Sequence, residues 1–261
     1  VQWDLPTAGA YVNNLAQRLL KLMSRGGVLL TTDTALTQAC LKGLAILFKI
    51  RSTNMELTQK AGNLPLELSK IRVLVSVLTA SVSDVATVYQ NAAFSLIEVL
   101  IETRVRLPEM YDLADTLIKQ SCLNQRKNAR DAAGKAVVDF LLAYPMGDKR
   151  FNGHVHQLLS NGSTFVHEEG RLSALGTLEM LLRNLPLPVL EDQGQTVFLP
   201  LCLQLVKEKS PMCQSKVQGC LAVLSRRVDK DSVRGFFDTA TSWLLPLSKN
   251  PIDAGRKGKV Q

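Results

Sequence analysis

The stretch AAGKAVVDFLLAY, from Ala132 to Tyr144, sets its apolar residues three and four apart along one stripe. That spacing predicts a helix with one buried face. Four other stretches carry the same stripe: ACLKGLAILFKI from Ala39, NAAFSLIEVLIE from Asn91, LSALGTLEMLL from Leu172 and SKVQGCLAVLS from Ser215. They superpose. Leu44, Leu96, Val137, Leu178 and Cys220 take one equivalent place. Leu47, Val99, Phe140, Leu181 and Val223 take the place three residues on, and Phe48, Leu100, Leu141, Leu182 and Leu224 take the next. Successive copies are offset by 52, 41, 41 and 42 residues. A period of about 40–47 residues with two helices per unit is the signature of HEAT and armadillo arrays. The expected fold is therefore all-α, an α-solenoid of about five to six helix pairs.

Four residues before the first of these layers stand Cys40, Ala92, Ala133 and Ala174, all small, which lets neighbouring helices approach closely. The fifth copy has Lys216 there, so the last unit is expected to be less regular or to cap the stack. Partner helices are expected near 9–24, 64–82, 107–122, 153–161, 195–208 and 231–246. Pro65, Pro108, Pro145, Pro186, Pro188, Pro211 and Pro246 are expected to mark helix ends. Pro200, inside an apolar run, should kink its helix or delay its start. The polar stretch Ser52–Asn63 is expected to form a loop, and Ser24–Gly27 a helix terminus with a turn. In Tyr144-Pro145-Met146-Gly147, proline should stop the helix and Gly147 permit the turn.

Composition supports many similar helices: 46% of residues are hydrophobic but only 5% aromatic, so Leu, Val and Ala carry the burial. Residues 1–248 are read as the repeat array. The last residues, with Lys249, Arg256, Lys257 and Lys259 among Gly and Pro, are read as a basic flexible tail over 249–261. The start at Val1 is read as a piece of a longer chain. Cys40, Cys122, Cys202, Cys213 and Cys220 lack metal-ligand spacing and mostly sit in apolar helical runs, so reduced core thiols are expected rather than a disulfide framework. No signal peptide is visible, and no apolar run reaches the roughly 18 residues that would suggest a membrane span.

Catalytic patterns are sparse. His154 and His156, two apart, would diverge by about 200° on one helix and cannot share a metal; with His167 they are read as surface residues. No phosphate-binding loop or nucleophile elbow is found, and Glu168 and Glu169 are read as first-turn charges at a helix start. No enzyme activity, cofactor, metal, small-molecule substrate or membrane is expected. Lys and Arg total 31 against 23 Asp and Glu, a net charge of +8 that favours acidic partners. Arg126, Lys127 and Arg130 precede one repeat helix, Lys149 and Arg150 follow it, and Arg226, Arg227, Lys230 and Arg234 surround the last turn. The plain reading is solvated helix ends. The sharper one is a ridge of cations on one edge touching RNA phosphates or another acidic partner. With few aromatics to stack bases, sequence-specific single-strand recognition is not expected.

DFLLAYPMGDKRFNGHVHQLL from Asp139, HEEGRLSALGTLEMLLRNLP from His167 and VFLPLCLQLVKEKSPMCQSK from Val197 together resemble a known family. It is the very large HEAT-repeat ribosome-biogenesis factors called small-subunit processome component 20. The likeness is clearest over about 120–245, and its motifs are structural. The resemblance implies a nuclear, nucleolar scaffold without cofactor or chemistry of its own. Such a scaffold would contact ribosome-assembly proteins and pre-ribosomal or small nucleolar RNA, in support of small-subunit ribosomal RNA processing. The rival reading is a transport receptor or signalling adaptor of the karyopherin kind, built on the same repeat; the basic surplus tilts away from it.

Overall fold

The computed structural model describes residues 8–25, 28–29, 33–54, 64–84 and 88–248. Among them, eleven helices follow one another: α1 (Ala8–Met23), α2 (Thr34–Asn54), α3 (Leu68–Ser83), α4 (Gln90–Thr103), α5 (Pro108–Leu123), α6 (Lys127–Ala143), α7 (Asp148–Thr164), α8 (Glu168–Asn184), α9 (Leu187–Lys207), α10 (Pro211–Arg227) and α11 (Lys230–Ser248). The all-α repeat fold is as the sequence predicts. The chain forms two compact units, Val1–Thr177 and Leu178–Gln261.

In the first unit the even-numbered helices stack in one layer, α2 on α4 and α4 on α6. The odd-numbered helices stack in a second, α3 on α5 and α5 on α7. This follows from the repeated stripe: a helix pair has an apolar face that only the next pair can cover. All fifteen layer residues are buried, the most exposed being Val99 at 9%. Each buried Leu or Val is worth about 1.5–3 kcal/mol, so a three-residue layer is ample to join neighbours. Cys40, Ala92, Ala133 and Ala174 are buried between helices as expected. Close approach goes further at Gly134 of α6, where a Cβ would lie 2.3 Å from the Thr177 hydroxyl. In the second unit α9 packs on α10 and α11. Lys216 of α10 points outward to Glu179 of α8 at 3.1 Å, and Val217 takes the buried place beside it.

A second repeat lies in the turns between paired helices. Gln90 Nε2 donates to the carbonyl of Asp84, Arg130 to Asn124, Arg171 to Phe165, and Gln214 to Glu208. Each acceptor is the residue capping the C-terminus of the preceding helix, six positions back. A side chain of the second helix thereby satisfies a carbonyl that the first helix leaves unpaired.

Between successive repeats, the Tyr144 hydroxyl donates to the Val105 carbonyl and accepts from the Leu107 amide, while Tyr111 donates to the Pro145 carbonyl. Phe140 stacks on Tyr144 with centroids 4.4 Å apart. The Tyr-Pro-Met-Gly run is thus a lock between repeats.

Several expectations are corrected. Gly147 is the N-cap of α7 in extended backbone (φ −83°, ψ 157°), and a Cβ there would meet nothing within 4 Å, so the turn does not require glycine. Gly147→Ser is expected to leave stability within about 0.5 kcal/mol of the parent, measured by chemical denaturation, because serine caps at least as well. Helix α7 begins at Asp148 and runs to Thr164, longer than 153–161. Helix α9 starts at Leu187 and passes through Pro200. Buried Leu190, Gly194 and Val197 anchor its first half and offset a proline cost of about 3 kcal/mol. Pro246 falls within the last turn of α11 rather than beyond it.

Ser52 to Asn54 belong to α2, and the rest of that predicted loop, 55–63, lies outside the described residues. After α1 the chain forms two-residue strands, β1 (Ser24–Arg25) and antiparallel β2 (Val28–Leu29), where a simple turn was expected; Gly26 and Gly27 lie outside the described residues. So does the basic segment 249–261.

Candidate binding surfaces

In the first unit, Arg126 and Lys127 stand apart from Lys149 and Arg150. Arg126 is the N-cap of α6 and Lys127 its first residue, whereas Lys149 and Arg150 open α7 after α6 has ended. Helix α6, seventeen residues and about 25 Å long at 1.5 Å per residue, runs from one group toward the other. They occupy opposite ends of α6.

Arg130 turns inward. It is only 5% exposed, and its guanidinium donates to the Asn124 and Gln125 carbonyls, to Ser173 at 3.0 Å and to Glu169 at 2.8 Å. A planar fork suits this many acceptors. The residue fastens the α5–α6 turn to the start of α8 and presents no free donor face. Arg227, half-buried, likewise donates to the Leu182 and Leu185 carbonyls at 2.7 and 2.8 Å, capping the end of α8 within the second unit. Arg226, Lys230 and Arg234 are exposed around the α10–α11 turn.

Arg150 is exposed and lies over the Tyr111 ring, 4.2 Å from its centroid. Below it a groove between α5 and α7 of about 580 Å³ is lined by Asp115, Lys149, Arg150, Gly153, His154 and Gln157. His154 is not the surface residue expected: it is 5% exposed, with Nδ1 3.5 Å from Asp115 and Nε2 buried without a hydrogen-bond partner. His156 and His167 are exposed. Burial holds the His154 imidazole below its usual range, helped by Arg150 and opposed by Asp115. Its folded-state pKa is thus below the unfolded value of about 6.5, so the unfolded chain binds the extra proton first and stability falls as pH drops below about 6.5. The melting temperature of His154→Gln is expected to fall less than that of the parent between neutral and mildly acidic pH. Parallel curves for the two proteins would contradict this assignment.

At the other end of α6, a cleft of about 360 Å³ lies between the N-termini of α4 and α6, lined by Val88, Gln90, Asn91, Arg126, Lys127 and Asn128 among others. Gln90 is 3% exposed, and its Oε1 has no partner. Sequence reasoning missed Gln90, although its 40-residue offset from Arg130 repeats the array period. Arg126 and Lys127 are exposed.

The cysteines are free thiols; Cys40, Cys122, Cys213 and Cys220 are buried and Cys202 is half-buried. Burial pushes the Cys220 thiol up to about 12. Among the described residues, no three His, Cys, Asp or Glu side chains are placed to hold a metal ion, and no helix is long and apolar enough to cross a membrane.

Two proteins called U3 small nucleolar RNA-associated protein 20 are similar to this chain. The one from Schizosaccharomyces pombe is 26% identical over 202 residues, which cover 74% of this chain and 8% of that protein. The one from Saccharomyces cerevisiae is 23% identical over 155 residues, 59% of this chain and 6% of that protein. The chain thus spans less than a tenth of the length of either relative. No protein-family model matches it.

Proposed function

We propose that this chain is a segment of a ribosome-biogenesis protein and acts as a non-catalytic scaffold of the small-subunit processome, in the nucleolus. The similarity to two yeast proteins named for association with U3 small nucleolar RNA carries this reading. It extends over 74% of the chain in one relative and 59% in the other.

The fold suits the role. A HEAT-type array presents helix ends and inter-helix grooves to several partners at once, and its nearest-neighbour stability tolerates varied surfaces. The polar groups described above serve turns, layers and locks. The exposed cations remaining at three helix ends are surfaces for phosphates or acidic proteins. Function is thereby assigned to contact with assembly factors and pre-ribosomal RNA, with no bond made or broken by the chain.

Depletion of the protein in cells tests the reading. Mature small-subunit ribosomal RNA is expected to fall relative to large-subunit RNA, with unprocessed small-subunit precursors accumulating. Balanced output of both subunits after full depletion would overturn it.

A further inference from the structure

We infer that the edge formed by the α4–α5 loop and the start of α7 holds a single strand of RNA. Arg104, Arg106 and Lys149 meet its phosphates, and one base stacks on Arg150 beside Asp112. This deepens the scaffold reading and rests on it, since that reading makes the strand RNA.

The lock between repeats gathers these cations. Tyr144 bonds to Val105 and Leu107, which stand on either side of Arg106 and next to Arg104. Tyr111, whose ring carries Arg150, bonds to Pro145 in the run that leads into α7. Two neighbouring repeats of the first unit thus bring four exposed cations to one edge. Sequence reasoning missed Arg104 and Arg106.

Arg104 is not there for the fold. It caps the C-terminus of α4 with φ 53°, and among the described residues no other non-glycine residue has a positive φ. Glycine adopts this backbone without strain and is the usual residue at such a helix end. A cation in the last turn of α4 would serve the helix dipole without that strain, and the turn has none. Among the described residues, the Arg104 guanidinium makes no hydrogen bond or ion pair. A strained position therefore keeps a charge that only a ligand uses.

Cations alone would accept phosphates or carboxylates. Two features at Arg150 separate them. Its guanidinium lies 4.2 Å from the Tyr111 centroid and is exposed, which leaves its other face for a base to stack on. Asp112 lines a hollow of about 430 Å³ with Pro108, Tyr111, Gly147 and Arg150, and Asp115 lines the groove beside it. These carboxylates repel an acidic peptide but accept the amino protons of a base. A nucleotide brings an anion, a flat face and N–H donors together. One platform gives a preference at one nucleotide rather than a sequence code.

The test measures binding of labelled oligocytidylate, oligouridylate and a base-free ribose-phosphate oligomer by the intact chain across a salt series. Circular dichroism confirms that each variant folds. The parent should bind oligocytidylate best, because cytosine has an amino group and uracil lacks one, and the base-free oligomer least. Arg104→Gly should weaken all three by about fivefold near 0.1 M salt and lower the salt slope by about 0.7. It should melt no lower than the parent, since glycine relieves the strain. Arg150→Lys keeps the charge and loses the flat face. It should leave the salt slope unchanged and bring oligocytidylate down to the level of the base-free oligomer. Asp112→Ala should erase the preference for cytosine. Unchanged affinity in Arg104→Gly, a cytosine preference that survives Asp112→Ala, or a base-free oligomer bound as tightly as oligocytidylate overturns the proposal. So does binding of oligoglutamate or of an alternating glutamate–arginine peptide with none of oligocytidylate, which would assign the edge to a protein. If the edge fails while depletion still blocks small-subunit RNA processing, the scaffold reading stands alone. If depletion leaves processing intact, that reading fails whatever the oligomers do.

Discussion

Leu141→Asp is expected to unfold the first unit. Leu141 sits in the third layer position of α6, 6% exposed, in a helix packed against both α4 and α5. Aspartate there forfeits about 2–3 kcal/mol of apolar burial and adds the cost of a buried carboxylate without a partner. Together these exceed about 4 kcal/mol, comparable to the whole stability of many domains. In a stack of nearest neighbours, loss of α6 also uncovers the faces of the helices beside it. Circular dichroism should show reduced helix content and a lowered or missing transition. A parent-like helical signal and melting temperature would contradict the layer assignment.

The second large effect is Arg130→Ala, expected to cost about 3 kcal/mol or more. It leaves the Asn124 and Gln125 carbonyls without their buried donor and frees the start of α8 from the turn it is tied to. Glu169→Ala, on the other side of the ion pair, should cost at most about 1 kcal/mol, because that carboxylate is 73% exposed and screened by water. Arg130→Lys should not restore stability, since a single ammonium cannot serve carbonyls, hydroxyl and carboxylate in one plane. Denaturant unfolding of the three variants checks the order. Equal losses for Arg130→Ala and Glu169→Ala would mean that the pair, not the turn clamp, carries the energy.

The layers were legible in the sequence because burial there depends on hydrophobic spacing alone: every residue from Leu44 to Leu224 assigned to a layer is buried. Helix lengths were less so. Gly153, Gly162 and the polar residues around them blur the stripe of α7, and Pro200 masks the continuity of α9, which tertiary packing maintains. The candidate surface was read least well, because charge in a sequence carries no direction. Arg130 and Arg126 look alike four residues apart, yet one is buried under α8 and the other is exposed. His154 reads as polar, and only the packing of α7 on α5 buries it. The Gln90 and Gln214 clamps show that a repeat can be kept in a hydrogen bond while the residue type changes, a signal that residue-by-residue matching overlooks.

Affinity purification of the tagged protein from cells, with protein and RNA read in the same eluate, tests the scaffold claim most directly. Small-subunit precursor RNA and U3-containing particles with ribosome-assembly factors should be recovered. Recovery of transport cargo and small GTPases without pre-ribosomal RNA would contradict it, and would make the chain an adaptor on the same repeat fold.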